Sequence, residues 1–139
     1  TQIAGLSVIL FGIFAVIEYF YGIYFDVQMP EAFLQFILST PTWLALLSLV
    51  VAAPIMEEFI FRGFLFSQFR NTRLGVWGTI ITTSFLWTVI HFQYEPMILY
   101  VLFIFGILLG YFRYKYNSLY LVMGIHALNN TIPFFFGFE

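Results

Sequence analysis

Apolar residues run almost without interruption through this chain, and the charged residues are too few to cover a globular surface. Hydrophobic residues make up 62% of the 139 residues and charged residues only 9%, whereas a soluble domain carries roughly 25% charged residues. The apolar runs are continuous rather than alternating, which favours helices over the strands of a membrane barrel. The sequence therefore predicts an all-α, polytopic transmembrane helix bundle whose solvent is the lipid bilayer.

Five stretches are long and apolar enough to cross a bilayer, which requires about 20 residues in a helix. They cover residues 3–25, 42–69, 76–93, 97–112 and 119–138. Residues 26–41 lie between the first two stretches and are predicted to form a short interfacial helix. The chain shows no internal repeat, so residues 1–139 are predicted to form a single membrane-embedded domain. Because the chain begins at Thr1 rather than at a methionine, we expect further elements before it.

The charges outside the predicted spans sort by membrane face. Four of the five basic residues fall on the side of Thr1, and the loop carboxylates fall on the other side. The basic residues are Arg70, Arg73, Arg113 and Lys115, and the carboxylates are Asp26, Glu31, Glu95 and Glu139. Because basic loops stay in the cytoplasm, loops 70–75 and 113–118 are predicted to be cytoplasmic.

The composition also excludes several kinds of partner and site. A net charge of −2 gives no basic surface for a nucleic acid. The chain has no cysteine, so disulfides and thiolate metal sites are excluded. The expected partners are the lipid bilayer and a peptide or protein substrate in or at the membrane.

Three charged residues fall within a single predicted span, where each costs about 2.5–3.5 kcal/mol on insertion scales. Glu58 and Arg62 are spaced i, i+4, so they can pair on one helix face. Glu57 points about 100° away and has no such partner. Pro54 is expected to interrupt the helix nearby and to make room for water. Glu57 is therefore the candidate functional carboxylate, and Glu58 with Arg62 its structural support.

Two histidines and an asparagine lie in other predicted spans at a similar depth. His126 and Asn130 share one face of the last span, and His91 lies in the third span with Trp87 one turn before it. From the helical rise, these residues and Glu57 lie about 13–24 Å from the cytoplasmic face, which permits one shared polar site. Each residue also has a structural reading, since a lone membrane histidine is about as often a hydrogen-bond donor between helices.

Three short motifs resemble those of the CPBP intramembrane proteases, which include CAAX prenyl endopeptidases and bacteriocin-processing (Abi) enzymes. Residues 56–63 resemble the family's Glu-Glu-x-x-x-Arg motif, and residues 126–130 match His-x-x-x-Asn. Residues 87–91 resemble Phe-x-x-x-His, with Trp87 where the family usually has Phe. This exchange of aromatic residues is expected to affect substrate fit more than chemistry. The motifs follow the family's order, and the resemblance covers about residues 41–139.

The resemblance implies an intramembrane endopeptidase acting on a membrane-associated substrate, either a prenylated CAAX-type protein or a leader peptide. In that reading Glu57 and His91 activate the attacking water, while His126 and Asn130 bind or polarise the developing oxyanion. A carboxylate without a helical partner suits general-base catalysis. An imidazole and an amide suit oxyanion stabilisation in a dry site.

A divalent metal is the one cofactor that these residues leave open. Glu57, His91 and His126 are the ligand types of a catalytic zinc site, which combines three protein groups with a water. The chain has no His-Glu-x-x-His sequence. The balance therefore favours metal-free activation of water over a zinc mechanism.

Two functions of other classes use the same residues. Buried carboxylates and histidines line proton or cation pathways in transporters, although no inverted repeat is visible here. The chain is alternatively a non-catalytic membrane partner, such as a bacteriocin-immunity factor, although intact motifs argue against this. The sequence leaves the identity of the substrate open.

Overall fold

The chain is helical throughout the part that the structure describes. A computed structural model describes residues 30–136, apart from the side chains of residues 133–136, and before them residues 9, 12–16, 20 and 24. Between residues 30 and 136 the chain forms five helices and no strand, which confirms the predicted all-α class. They are α1 (Glu31–Ser39), α2 (Thr42–Phe69), α3 (Gly75–Val89), α4 (Pro96–Tyr116) and α5 (Leu119–Phe136).

Each of the five helices between residues 30 and 136 has a predicted counterpart, and α5 begins at the predicted residue. Helix α1 is the predicted short helix between residues 26 and 41, and none of its residues is buried. Helices α2 and α4 are long and apolar enough to cross a membrane. The predicted first span, residues 3–25, lies mostly outside the described residues, although residues 12–16 are helical. Phe14 stacks on Phe105 of α4 with 5.0 Å between the ring centroids. The number of five spans stays a prediction.

Helix α3 ends four residues earlier than predicted, so His91 lies in a turn and not in a span. The N–H of His91 bonds the carbonyl of Thr88 at 3.0 Å, three residues back, in place of the helical ladder. The N–H groups of Phe92 and Tyr94 also bond carbonyls three residues back, those of Val89 and His91, so tight turns replace the helix here. Glu95 is then extended with ψ 151°, as the residue before a proline tends to be.

Helix α4 extends beyond its predicted end, which corrects the predicted loop at residues 113–118. Arg113 and Lys115 lie in the last helical turn, where cations interact favourably with the helix dipole. Asn117 adopts the left-handed conformation, φ 46°, and so ends the helix. Arg70 and Asn117 line one surface pocket, which places both predicted cytoplasmic loops at the same end of the bundle.

Helix α2 is irregular on both sides of Pro54. Its turns at Leu47–Ala52 and Phe59–Leu65 are π-helical. Such wide turns leave some carbonyl groups without their usual donors, and they occur often at functional sites. Pro54 itself lies in the regular turns Ala53–Glu58 between them, so a kink at this residue stays a prediction.

Two glycines bring α3 and α4 into close contact. A Cβ atom at Gly106 would lie 3.0 Å from Cβ of Ser84 and 3.2 Å from Nη2 of Arg62. A Cβ atom at Gly110 would lie 3.1 Å from Cγ2 of Ile80. Glycines spaced four residues apart are a common contact motif of membrane helices. Here they bring the backbone of α4 within reach of a charged side chain on α2.

The interior is aromatic and aliphatic, and much of the outer surface is apolar as well. The buried core cluster is formed by Phe61, Trp87, Phe105, Leu109, Phe112, Val122 and Ile125. Large apolar side chains such as Phe59, Phe85 and Tyr120 are exposed. An outer surface of this kind marks contact with a membrane or with another protein.

We expect Gly106→Ala to lower the free energy of unfolding by about 1–3 kcal/mol, because the added methyl group would press on Ser84 and Arg62. Gly124→Ala is the matched control on α5, since a Cβ atom there meets nothing within 4 Å. Alanine also favours the helix, so the control should be neutral or stabilising. Thermal unfolding followed by circular dichroism in detergent compares the two variants. Equal midpoints would contradict the tight contact between α3 and α4.

Candidate active site

A buried ion pair on α2 forms the base of the candidate site. Nη1 of Arg62 donates to Oε1 of Glu58 at 2.9 Å, and both side chains are fully buried. Nη2 of Arg62 donates to the backbone carbonyl of Gly106 at 3.1 Å. The pair predicted from the i, i+4 spacing is therefore present, and it joins α2 to α4.

The same carboxylate oxygen binds His126 on α5. Nδ1 of His126 lies 2.9 Å from Oε1 of Glu58. Because a carboxylate paired with Arg62 accepts hydrogen bonds, Nδ1 carries the proton and Nε2 holds the lone pair. That Nε2 faces Oε2 of Glu57 at 3.9 Å. Glu58 therefore orients His126 as well as pairing with Arg62, a contact that the sequence analysis missed.

The side chain of His91, in the turn after α3, also lies beside Glu57. Its Nδ1 lies 2.9 Å from the backbone carbonyl of Trp87. A carbonyl oxygen only accepts, so Nδ1 is the donor and Nε2 of the neutral ring is left as an acceptor. Nε2 of His91 also lies 3.9 Å from Oε2 of Glu57.

Glu57 occupies the position between the two imidazole rings. Its side chain is 21% exposed and that of His91 is 17% exposed, so the site is open on this side. A separation of 3.9 Å is too long for a direct hydrogen bond. A water molecule at hydrogen-bonding distance from both the carboxylate and an imidazole nitrogen fits this spacing.

Trp87 contacts both histidines, Arg62 and Glu57. Its indole Nε1–H donates to Oε2 of Glu57 at 2.6 Å. The guanidinium of Arg62 lies 4.9 Å from the centre of its ring. The rings of His91 and His126 meet it edge-on, with 4.9 and 5.3 Å between the centroids. Trp87 therefore makes a polar contact that the ring of a phenylalanine could not make.

Asn130 is tied to the irregular part of α2. The N–H of Ala53 bonds Ser48, and Pro54 has no N–H, so the carbonyl of Leu49 lacks both of its ordinary helical donors. Nδ2 of Asn130 donates to that carbonyl at 2.9 Å. This bond takes one of the two amide N–H groups. The oxyanion role predicted for Asn130 would depend on the other.

Tyr94 is a further residue at the site, and the sequence offered no sign of it beyond an aromatic residue near a span end. Its ring lies 6.1 Å from that of His91. Burial, and to a smaller extent the charge of Glu57, raises the pKa of the Tyr94 phenol above its usual range. The phenol is therefore neutral, and it lies close enough to Glu57 for the two groups to interact electrostatically.

Glu57, His91 and His126 do not fit a tetrahedral zinc ion as they are placed. Oε2 of Glu57 is 3.9 Å from each Nε2 atom. Two ligands bound to zinc at the tetrahedral angle lie only about 3.4 Å apart. Oε2 also accepts the indole N–H of Trp87. Over residues 30–136 and the few described before them, no cluster of histidine and carboxylate side chains has the geometry of a metal site.

Comparison with known families decides the class of the protein. The model of the family described as type II CAAX prenyl endopeptidase Rce1-like matches residues 38–132, which include Glu57, Glu58, Arg62, His91, His126 and Asn130. The chain belongs to this family. The resemblance seen in the three short motifs is thereby confirmed. Because Rce1-like proteins are membrane-embedded proteases, the match agrees with the apolar α2 and α4.

One relative of the chain has a name that states no function. The chain is similar to an uncharacterized 24.3 kDa protein of Escherichia coli, with 31% identity over 96 residues. The similar region covers 68% of this chain and 44% of that protein, so the chain spans less than half of its relative's length. No solved structure matches the chain significantly.

We expect Glu58→Gln to destabilise the protein by about 3–5 kcal/mol, because it leaves the buried charge of Arg62 without its counter-ion. Both the yield of folded protein and its thermal midpoint in detergent should fall. Glu31→Gln is the control, since Glu31 lies on the exposed helix α1, where it accepts a hydrogen bond from Gln35 at the surface. A Glu58→Gln variant as stable as this control would show that the ion pair does not support the site.

Proposed function

We propose that this chain forms the catalytic core of an intramembrane endopeptidase, which hydrolyses a peptide bond of a membrane-associated substrate. One observation carries the proposal. Glu57 lies 3.9 Å from the Nε2 atom of both His91 and His126, and the other nitrogen of each ring is already bonded. Helix α2, helix α5 and the turn after α3 thus each place a proton-accepting group beside the same partly exposed position. Membership of a protease family supports the same class of reaction.

In this proposal Glu57 and His91 activate a water molecule. The water loses a proton to this pair as its oxygen attacks the carbonyl carbon of the peptide bond. His91 is suited to the task because its Nδ1 donates to the carbonyl of Trp87, which leaves Nε2 as the acceptor. When the tetrahedral intermediate collapses, the C–N bond breaks and the proton passes to the leaving amine.

His126 is proposed to stabilise the oxyanion that forms during the attack. Once its Nε2 is protonated, the ring is an imidazolium held at Nδ1 by the carboxylate of Glu58. A buried carboxylate stabilises such a cation and keeps the ring in place. Nε2–H is then a charged donor for the developing oxyanion, and the second amide N–H of Asn130 is the other candidate donor.

The proposed substrate is the C-terminal segment of a prenylated CAAX-type protein, with a leader peptide as the alternative. The family description supports the first choice. A prenyl chain would remain in the lipid beside the exposed apolar side chains of the bundle. We further propose that the end of the bundle formed by Arg70 and Asn117 faces the cytoplasm.

We expect Glu57→Gln to lower the rate of cleavage by about 10²–10⁴-fold, because the amide has nearly the same size but cannot accept the proton. The assay uses the purified protein in detergent with a fluorescence-quenched, farnesylated CAAX peptide. Glu95→Gln is the control, since Glu95 is an exposed carboxylate in the turn near the site. Thermal unfolding of each variant shows that the fold survives.

A folded Glu57→Gln protein that cleaves the peptide at the normal rate would contradict this mechanism. A transporter would instead give ion flux in liposomes that Glu57→Gln abolishes, without cleavage. A non-catalytic partner would keep its cellular role in the Glu57→Gln variant.

We expect a chelator such as 1,10-phenanthroline to leave cleavage unchanged, because the spacing of Glu57 and the two histidines does not suit a tetrahedral ion. The same peptide assay measures this after prolonged dialysis against the chelator. Loss of activity that zinc restores would show that a metal takes part and that the side chains move together to bind it.

A further inference from the structure

We infer that Trp87 is a positioning residue for the catalytic carboxylate, and that its indole N–H holds one oxygen of Glu57 in a fixed orientation. The kinetic part of this inference rests on the proposed function. The hydrogen bond itself does not. The family's usual Phe at this point of the motif has no N–H, so this task belongs to the tryptophan of this chain.

The hydrogen bond between Trp87 and Glu57 is short, and its donor is buried. Nε1 of Trp87 is 2.6 Å from Oε2 of Glu57, at the short end for a charge-assisted hydrogen bond. The Trp87 side chain is only 1% exposed, and a buried indole N–H requires an acceptor. Because water does not compete for the indole, the bond is stronger than a similar one at a surface.

No other described side chain makes a comparable bond to Glu57. The charged and titratable groups that face it are Glu58, Arg62, His91, Tyr94 and His126. Arg62 is engaged by Glu58 and by a backbone carbonyl. Both imidazoles present Nε2 at 3.9 Å, beyond hydrogen-bonding distance. Among the described side chains, the indole is therefore the donor that fixes this carboxylate.

The orientation of the indole is itself fixed on several sides. The guanidinium of Arg62 lies 4.9 Å from its ring centre. The rings of His91, His126 and Phe105 surround it at centroid distances of 4.9, 5.3 and 6.2 Å. The bond also joins α3 to α2 across 30 residues of sequence. A ring held in this way directs its N–H at one oxygen of Glu57 and leaves the carboxylate little freedom to rotate.

Trp87→Phe tests the kinetic consequence and restores the family's usual residue. We expect kcat to fall by about 10- to 100-fold with little change in KM, since a hydrogen bond to a charged group is lost. Trp77→Phe is the control, since Trp77 is exposed and stacks on Tyr111.

A purely structural role for Trp87 would lower the yield and the thermal midpoint without a selective fall in kcat. A folded Trp87→Phe protein with the kcat of the parent would therefore overturn the inference. If this variant does not fold, benzothienylalanine at position 87 replaces it, in a Trp43→Phe, Trp77→Phe background. That residue keeps the two-ring shape and exchanges the N–H for sulfur, so the same fall in kcat is expected and its absence overturns the inference.

Nuclear magnetic resonance tests the bond without any substrate. In ¹⁵N-tryptophan-labelled protein, the indole N–H signal of Trp87 should move strongly upfield in Glu57→Met, which keeps a long side chain but removes the acceptor. The signal of Trp77 should not move. An unchanged Trp87 signal overturns the inference, whatever the enzyme does. If the signal shifts in Glu57→Met but the parent protein cleaves no peptide, the bond is supported and the proposed protease function is wrong.

Discussion

The carboxylate of Glu58 holds together the elements from which the candidate site is built. It is fully buried, and a single oxygen of it accepts hydrogen bonds from Arg62 and from His126. Through Arg62 it also reaches the backbone of Gly106. A buried charge is tolerated when it is paired and hydrogen-bonded, and removal of one partner leaves the other uncompensated. The geometry of α2, α4 and α5 around the site therefore depends on this one group.

The two histidines next to this ion pair are held in the same way. Each ring uses Nδ1 to bind a fixed acceptor, the side chain of Glu58 for His126 and the backbone of Trp87 for His91. Each Nε2 is thereby left facing Glu57. The rings differ in the charge of the acceptor, because only His126 is bound to a carboxylate. In the proposed mechanism this difference assigns the positive charge to His126 and the role of neutral base to His91.

The sequence was most informative about features that depend on residues close together along the chain. The pair of Glu58 and Arg62 follows from their i, i+4 spacing, and Pro54 marks the irregular part of α2. The sequence placed His91 inside a helix, which was wrong because tight turns begin after Val89, and an apolar run does not show where a helix gives way to a turn. It treated Trp87 as packing, because a preference for aromatic residues says nothing about where an indole N–H points.

The sequence by itself determined an all-helical, apolar chain with three charged residues in one helix, because continuous apolar runs and i, i+4 pairs are properties of neighbouring residues. Only the tertiary structure decided which side chains meet. The bonds from Trp87 to Glu57, from His126 to Glu58 and from Asn130 to α2 span 30, 68 and 81 residues. Such contacts depend on how closely the helices approach, and that approach is set by packing at small residues such as Gly106.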